Sequence, residues 1–374
     1  MTGYSQRLPK LATDLARAVA AFEPDPTRFE FVREMLERGL RNRRQERPLW
    51  HAQNAVTRAL SEKSYHYESA LAFATSDACT PEAVHVHMRQ IVHANFLEVL
   101  VHGNLLPADA TELLAETRQI IGGEPLPADC APPPTFKMLP AQHELSTPQP
   151  AVASDPEYYS AAGGAGLPYR MRGVAANADE TNCAIEVFYQ FGELEMRDEA
   201  LLVTLAQIAS KAAFHRLRTE LQLGYVVQCG VRSVNRCRGL SVLIQSAVAA
   251  PPALEGHIEE WLTAFRAEAL SALDEASFAE YTNAVARNLD EPPKTLHQEA
   301  GALWPEILDA TYRWNYSRDL AAEVRSLTIA ELLATFDERV AADGRGRRKL
   351  ASHFFSQKED AAAAEPEAST CEAS

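Results

Sequence analysis

The chain has 374 residues, 46% of them hydrophobic and 23% charged, and a net charge of −15. That length predicts about two or three domains with cores that need neither disulfide nor metal, and the balance excludes a collagen, a wholly disordered chain and a disulfide miniprotein. The negative charge repels phosphate backbones and anionic lipid, so neither nucleic acid nor a membrane is an expected partner.

In chain order, the first third reads helical. Pro24-Asp25-Pro26 opens a segment with Phe29, Val32, Leu36 and Leu40 at helical spacing. Its arginines (Arg33, Arg38, Arg41, Arg43, Arg44, Arg47) are interrupted by Glu34, Glu37 and Glu46, the pattern of a solvated, ion-paired face rather than a nucleic-acid groove. Pro48 starts a second helix carrying Leu49, Ala52, Val56 and Leu60, and Thr80-Pro81-Glu82 caps a third with Val84, Met88 and Ile91. Phe96–Val101 is apolar and short, which predicts a strand, and a helix from Pro107 to Ile121 should stop at Gly122-Gly123. Between 124 and 167, Pro132-Pro133-Pro134, Pro148, Pro150 and Gly163-Gly164 punctuate a stretch without periodicity, the mark of a linker with one short strand near Phe136-Lys137-Met138.

Tyr169–Arg172 and Cys183–Phe191 then read as strands, the second with Ile185, Val187, Tyr189 and Phe191 alternating against Glu186 and Gln190. A long helix carries Leu201, Leu205, Ile208 and Ala212 on one stripe and is broken by Gly224. Tyr225-Val226-Val227 and Gly239–Ile244 are two more strands, followed by helices over 252–271, 274–290 and 317–340. Thr328-x-x-Glu331 is a capping box. Leu350–Phe355 reads as a closing edge strand, and the acidic low-complexity tail as disordered. Strand pair, helix, strand pair, helices predicts an α+β layer rather than a doubly wound sheet.

Chemistry-bearing motifs are few. His85 and His87 stand at i and i+2, a spacing that sends helical side chains to different faces, so they read as surface histidines. No His-Glu-x-x-His or inverse His-x-x-Glu-His occurs; His143-Glu144 and His257-Ile258-Glu259-Glu260 are partial matches only. There is no Gly-x-Ser-x-Gly elbow. The six cysteines form no Cys-x-x-Cys pair and read as reduced thiols of a cytoplasmic protein. The segment Phe214–Val227 is different: an arginine on the last helical turns, Arg218, and a tyrosine just past the break, Tyr225, can project together. A guanidinium fork and a phenol suit a peptide carbonyl or a developing oxyanion; the alternative is an arginine completing its helix dipole.

Arg218-Thr219-Glu220-Leu221-Gln222-Leu223-Gly224-Tyr225 resembles the Arg-Thr-x-x-Gln-Leu-Gly-Tyr signature of the M16 metallopeptidases of the insulysin, nardilysin and pitrilysin group, in their C-terminal half. The resemblance extends to Asn182–Gln190, Gly239–Ser246, Leu289–Lys294 with Trp304, and Leu100–Asn104, and covers most of residues 22–356. It implies α+β metallohydrolase domains of the mitochondrial-processing-peptidase-like kind, a mixed sheet packed against helices, as one partial and one complete repeat. Residues 1–125 would be a partial, mostly helical third domain, 126–167 an interdomain linker, 168–356 the fourth domain and 357–374 a disordered acidic tail. The implied function is the substrate-enclosing half of a zinc metalloendopeptidase that degrades peptides, with Arg218 and Tyr225 reaching substrate near the scissile bond. No catalytic residue or metal ligand is expected on this chain, and zinc would sit in the catalytic half. The implied partners are an N-terminal catalytic M16 half, on the same polypeptide or as a separate subunit, and peptide substrates, with homodimerisation left open. The start within the third domain favours a fragment, and the alternative function is a non-catalytic binding or scaffold subunit of the same fold. On this reading Phe96–Val101 presents an exposed sheet edge, and residues 168–356 fold independently.

Overall fold

Prolines and capping side chains start the helices where the spacing predicts them. In chain order these are α1 (Leu8–Ala20), α2 (Pro26–Arg43), α3 (Pro48–Leu60), α4 (Tyr67–Ala74), α5 (Pro81–His93) and α6 (Pro107–Ile121). They continue with α7 (Met196–Ala213), α8 (Pro251–Ala264), α9 (Glu275–Leu289), α10 (Leu296–Leu308), α11 (Tyr316–Arg325) and α12 (Ile329–Arg339). The strands are β1 (Ala94–Asn95), β2 (Glu124–Pro125), β3 (Ser160–Ala162), β4 (Tyr169–Val174), β5 (Cys183–Gly192), β6 (Val226–Val234), β7 (Cys237–Ser246) and β8 (Lys349–Phe355). The computed structural model describes residues 1–130, 135–141, 160–162 and 169–359. The tail from residue 360 and the Pro- and Gly-rich parts of the expected linker (131–134, 142–159, 163–168) lie outside the described residues.

The chain divides into two units. The first is Met1–Arg43, Tyr65–Pro134 and Pro292–Trp314. Here α1 packs on α6 and α2 on α4. Thr80 Oγ1 accepts from the Ala83 amide at 3.1 Å, as its sequence position requires. The end of α6 is tied down by Arg118, which donates to Asn95 Oδ1 (2.7 Å) and to the Gly122 carbonyl (2.8 Å). Gly122 and Gly123 both have positive φ, and a Cβ on Gly123 would stand 2.1 Å from the Val92 carbonyl oxygen. Helix α2 leaves Phe31, Val32, Met35 and Leu36 exposed. The strand expected at Phe96–Val101 does not form. Only Ala94–Asn95 pairs, in parallel with Glu124–Pro125, and the apolar run that follows has no partner among the described residues.

The second unit is Arg44–Ser64, Thr135–Glu291 and Asn315–Ser374. Its six-stranded mixed sheet has the order β3-β4-β8-β5-β7-β6, antiparallel except for the β4–β8 pair. One face carries the larger core, where Leu202, Leu205, Leu254, Ile258, Val324 and Phe336 meet Val187, Leu240 and Ile244. The other face is covered by α3, through Ala52, Val56 and Leu60 against Phe188, Met171 and Phe354. Residues 44–64 therefore fold with the second unit and 292–314 with the first, so the first unit is not the continuous segment 1–125 that the sequence suggests.

Covering both faces explains the other departures. All ten residues of β5 are buried, so the Glu186/Gln190 alternation does not mark a solvent face. Glu186 pairs with Arg232 and accepts from Ser241 Oγ (2.6 Å), while Arg232 reaches Gln53 O and Thr57 Oγ1 on α3, each at 2.7 Å. Burial still raises the Glu186 carboxyl above its ordinary range. Gln190 accepts from the Leu139 amide and donates to Lys137 O, both at 2.8 Å, holding residues 135–141. Phe136 makes a single bridge to Ser61 rather than a strand. Strand β8 is central, between β4 and β5, and wholly buried, not an edge. The expected helix 317–340 is two, because the Thr328–Glu331 capping box starts α12, with Thr328 N to Glu331 Oε2 at 3.0 Å. Helix α10 was hidden in sequence behind Pro292-Pro293 and its internal Pro305.

Beneath α8 the sheet buries charge. Glu255 meets Lys349 Nζ (2.6 Å), His353 Nε2 (2.7 Å) and Arg170 Nε (2.9 Å). Glu259 accepts from Lys349, Arg347 and the Tyr189 hydroxyl. Each buried charge thus has an opposite partner, which is the condition for tolerating it there.

Candidate substrate-contact site

Helix α7 does not end at Gly224. It passes directly into a π-helical segment, Phe214–Glu220, and the chain turns at Gln222, whose φ is 51°. Leu217 and Leu223 are buried and anchor the turn, joined by a 3.0 Å bond from Leu223 N to Leu217 O. Gly224 then lies flat on β7: a Cβ there would come 2.0 Å from Gln245 O. Its missing side chain serves close approach, not a helix stop. Tyr225 follows at once and Val226 opens β6, paired with Gln245.

This local path decides where the two predicted residues point. The Arg218 guanidinium carbon lies 4.8 Å from the Phe214 ring centroid and 5.0 Å from that of Tyr225. Each such contact is worth about 0.5–1 kcal/mol at an exposed site. Tyr225 is 84% exposed, so it is not a core residue, and Phe214 is 46% exposed. The neighbouring basic side chains share a carboxylate. Arg216 Nη1 pairs with Glu220 at 2.6 Å and His215 Nδ1 with Glu220 at 3.2 Å, and the Arg216 hydrogen bond leads in holding the Glu220 carboxyl low. Among the described residues no carboxylate or helix carbonyl engages Arg218, so it does not act as a helix-terminal cap. A stacked, planar donor fork with its edge free is suited to carbonyl or carboxylate oxygens.

The structure thus brings Arg218 and Tyr225 together and adds Phe214, which the sequence reading passed over. Its signal was available: Phe214 and Arg218 stand at i and i+4 on one helical face.

Other candidates do not gather. Among the described residues no group of three or more His, Cys, Asp or Glu side chains could hold a metal. His85 is half-buried and His87 exposed on α5. His143-Glu144 lies outside the described residues. Cys79, Cys183, Cys229 and Cys237 are buried free thiols, and burial pushes Cys229 up to about 12. That disfavours the thiolate a nucleophile requires.

The chain is similar to the M16 peptidases: two family models match parts of it, and a solved structure of pitrilysin shares its fold. Residues 1–73 match the model for the middle or third domain of peptidase M16, and residues 204–304 match the model for the C-terminal lobe domain 4 of PQQ synthase PqqF-like proteins. A nardilysin-like protein of Arabidopsis thaliana is 26% identical over 89% of this chain and 30% of its own length. The insulin-degrading enzyme of Homo sapiens is 27% identical over 96% of this chain and 33% of its own length. The crystal structure of pitrilysin shares the fold, with a TM-score of 0.72 and 19% identity over 94% of this chain and 34% of that one. The chain therefore spans about a third of the length of the relatives it matches.

Proposed function

We propose that this chain is the C-terminal, substrate-enclosing half of an M16 zinc metalloendopeptidase that degrades peptides. Its partner is an N-terminal catalytic half, on the same polypeptide or as a separate subunit. The observation that carries the reading is Arg218, stacked between Phe214 and Tyr225 with no carboxylate on it among the described residues, beside a tyrosine 84% exposed. Zinc on the other half would supply Lewis-acid chemistry there. On this chain, the Tyr225 hydroxyl donates to the substrate carbonyl oxygen as it gains charge, and Arg218 holds neighbouring carbonyl or carboxylate groups. The buried free thiols suit a reducing cytoplasm as its compartment.

The test is reconstitution with the half encoded by the upstream reading frame. Peptide cleavage that appears on mixing and falls in Tyr225→Phe supports the proposal. An upstream frame without a zinc motif, and no cleavage on mixing, replaces it with a binding or scaffold subunit of the same fold.

A further inference from the structure

Two helices of the second unit pass from α- into π-helix at an aromatic residue. Helix α7 does so at Phe214, and α8 at Phe265, which opens a second π-helical segment, Phe265–Leu270. Such segments are rare and recur at functional sites. Both contribute to the walls of one groove of about 700 Å³, a size that suits a small organic ligand. Lys211 and His215 stand at i and i+4 along one wall, and Trp261 and Phe265 at i and i+4 along the other, followed by Glu268. Trp261 and Phe265 are buried and give the groove an apolar base. The Lys211 ammonium lies 5.4 Å from the ring centroid of Tyr281, which also lines the groove. Arg216 and His215 share Glu220, whereas among the described residues neither Lys211 nor Glu268 has an ion-pair partner. Both are exposed, so one unmatched charge of each sign remains, one on either wall.

We propose that this groove binds a small zwitterion with an apolar side chain, a free amino acid or a dipeptide, its carboxylate on Lys211 and its ammonium on Glu268. Charge selects this class. Lys211 and Arg216 stand against Glu220 and Glu268, so the lining is balanced at neutral pH and favours neither a simple anion nor a simple cation. An anion would satisfy Lys211 and meet Glu268 with like charge; a cation would do the reverse. A zwitterion makes a charge-assisted hydrogen bond at each end. Its side chain then lies over Trp261, Phe265 and Tyr281. Phe214, Arg218 and Tyr225 do not line the groove, so the site is separate from the substrate-contact pair and does not rest on the peptidase reading.

Calorimetric titration of the full chain tests this. The probes are L-phenylalanine and the dipeptide L-leucyl-L-phenylalanine, with phenylacetate, which lacks the amine, and phenethylamine, which lacks the carboxylate. A zwitterion should saturate a single site, and each truncated compound should bind at least about tenfold more weakly, the effect of one lost charge-assisted hydrogen bond. Whichever zwitterion binds tighter identifies the source as a free amino acid or a dipeptide. Lys211→Met should weaken the zwitterion about tenfold and leave phenethylamine unchanged, and Glu268→Gln should weaken it similarly and leave phenylacetate unchanged. Both side chains are exposed, so the variants should melt with the wild type and the comparison stays one of binding. No saturation by either zwitterion at about 10 mM overturns the proposal, as does equal affinity for a truncated compound or wild-type affinity in either variant.

Discussion

A Cβ on Gly224 would lie 2.0 Å from the carbonyl oxygen of Gln245 and 2.9 Å from its carbonyl carbon. The backbone of the turn is thus laid against β7 with no room for even one methyl group. That contact fixes where Tyr225 leaves the turn and where β6 begins. Gly224→Ala should therefore destabilise by about 1–3 kcal/mol, the cost of overpacking against a backbone that cannot give. Urea unfolding measures it, and a wild-type midpoint would show that the turn is soft.

Tyr225→Phe should leave stability almost unchanged, because the side chain is 84% exposed. In the reconstituted enzyme, loss of one donor to a developing oxyanion lowers kcat by about 10²–10³ with little change in KM. Arg218→Lys keeps the charge but loses the planar fork that stacks on Phe214 and Tyr225, so KM should rise more than kcat falls. Steady-state kinetics of the two variants separate the roles. Lowered melting temperatures with normal kinetics for the folded fraction would assign both residues to structure.

Acid should unfold the second unit through Glu255. Burial alone would raise its carboxyl, but the hydrogen bonds of His353 and Arg170 and the charge of Lys349 outweigh it and hold it far below the ordinary carboxylate value of 4.5. A depressed folded-state pKa contributes stability that is present above 4.5 and lost as pH falls through the lower, folded value. Denaturant titrations below pH 4.5 should show stability falling with pH, with a shallower slope in Glu255→Gln. At neutral pH that variant leaves Lys349 short of a counter-charge in a buried site, which costs about 3–5 kcal/mol. A neutral-pH loss below 1 kcal/mol would show, on the scale of a surface ion pair, that Glu259 alone satisfies Lys349.

Residues 168–356 should not fold as a stable fragment by themselves, contrary to the sequence expectation. Ala52, Ala55, Val56 and Leu60 of α3 are fully buried on the sheet, and without them Phe188 and Phe354 face water. A 169–359 fragment should bind hydrophobic dye and aggregate. Adding a 44–64 peptide should raise its melting temperature with peptide concentration. A monomeric, dye-free fragment would contradict this.

The sequence by itself determined the local features. Pro26, Pro48, Pro81 and Pro107 start helices where they stand, Gly122-Gly123 ends α6, and Thr328-x-x-Glu331 caps α12, because each acts through bonds within a few residues. The Arg218–Tyr225 pair was legible for the same reason: only the six residues of helix end and turn from Thr219 to Gly224 connect them. Only the tertiary structure decided what depends on distant partners. A strand exists only where another pairs with it, so Phe96–Val101 stayed irregular while Leu350–Phe355 became a central strand. Glu186 and Gln190 give only a period-two alternation in the sequence, which carries no trace of the cover that α3 and residues 135–141 provide. Gly224 is the sharpest case. Sequence marked it as a breaker, but the reason for the glycine is a carbonyl on another strand, brought within 2.0 Å only by the folded sheet.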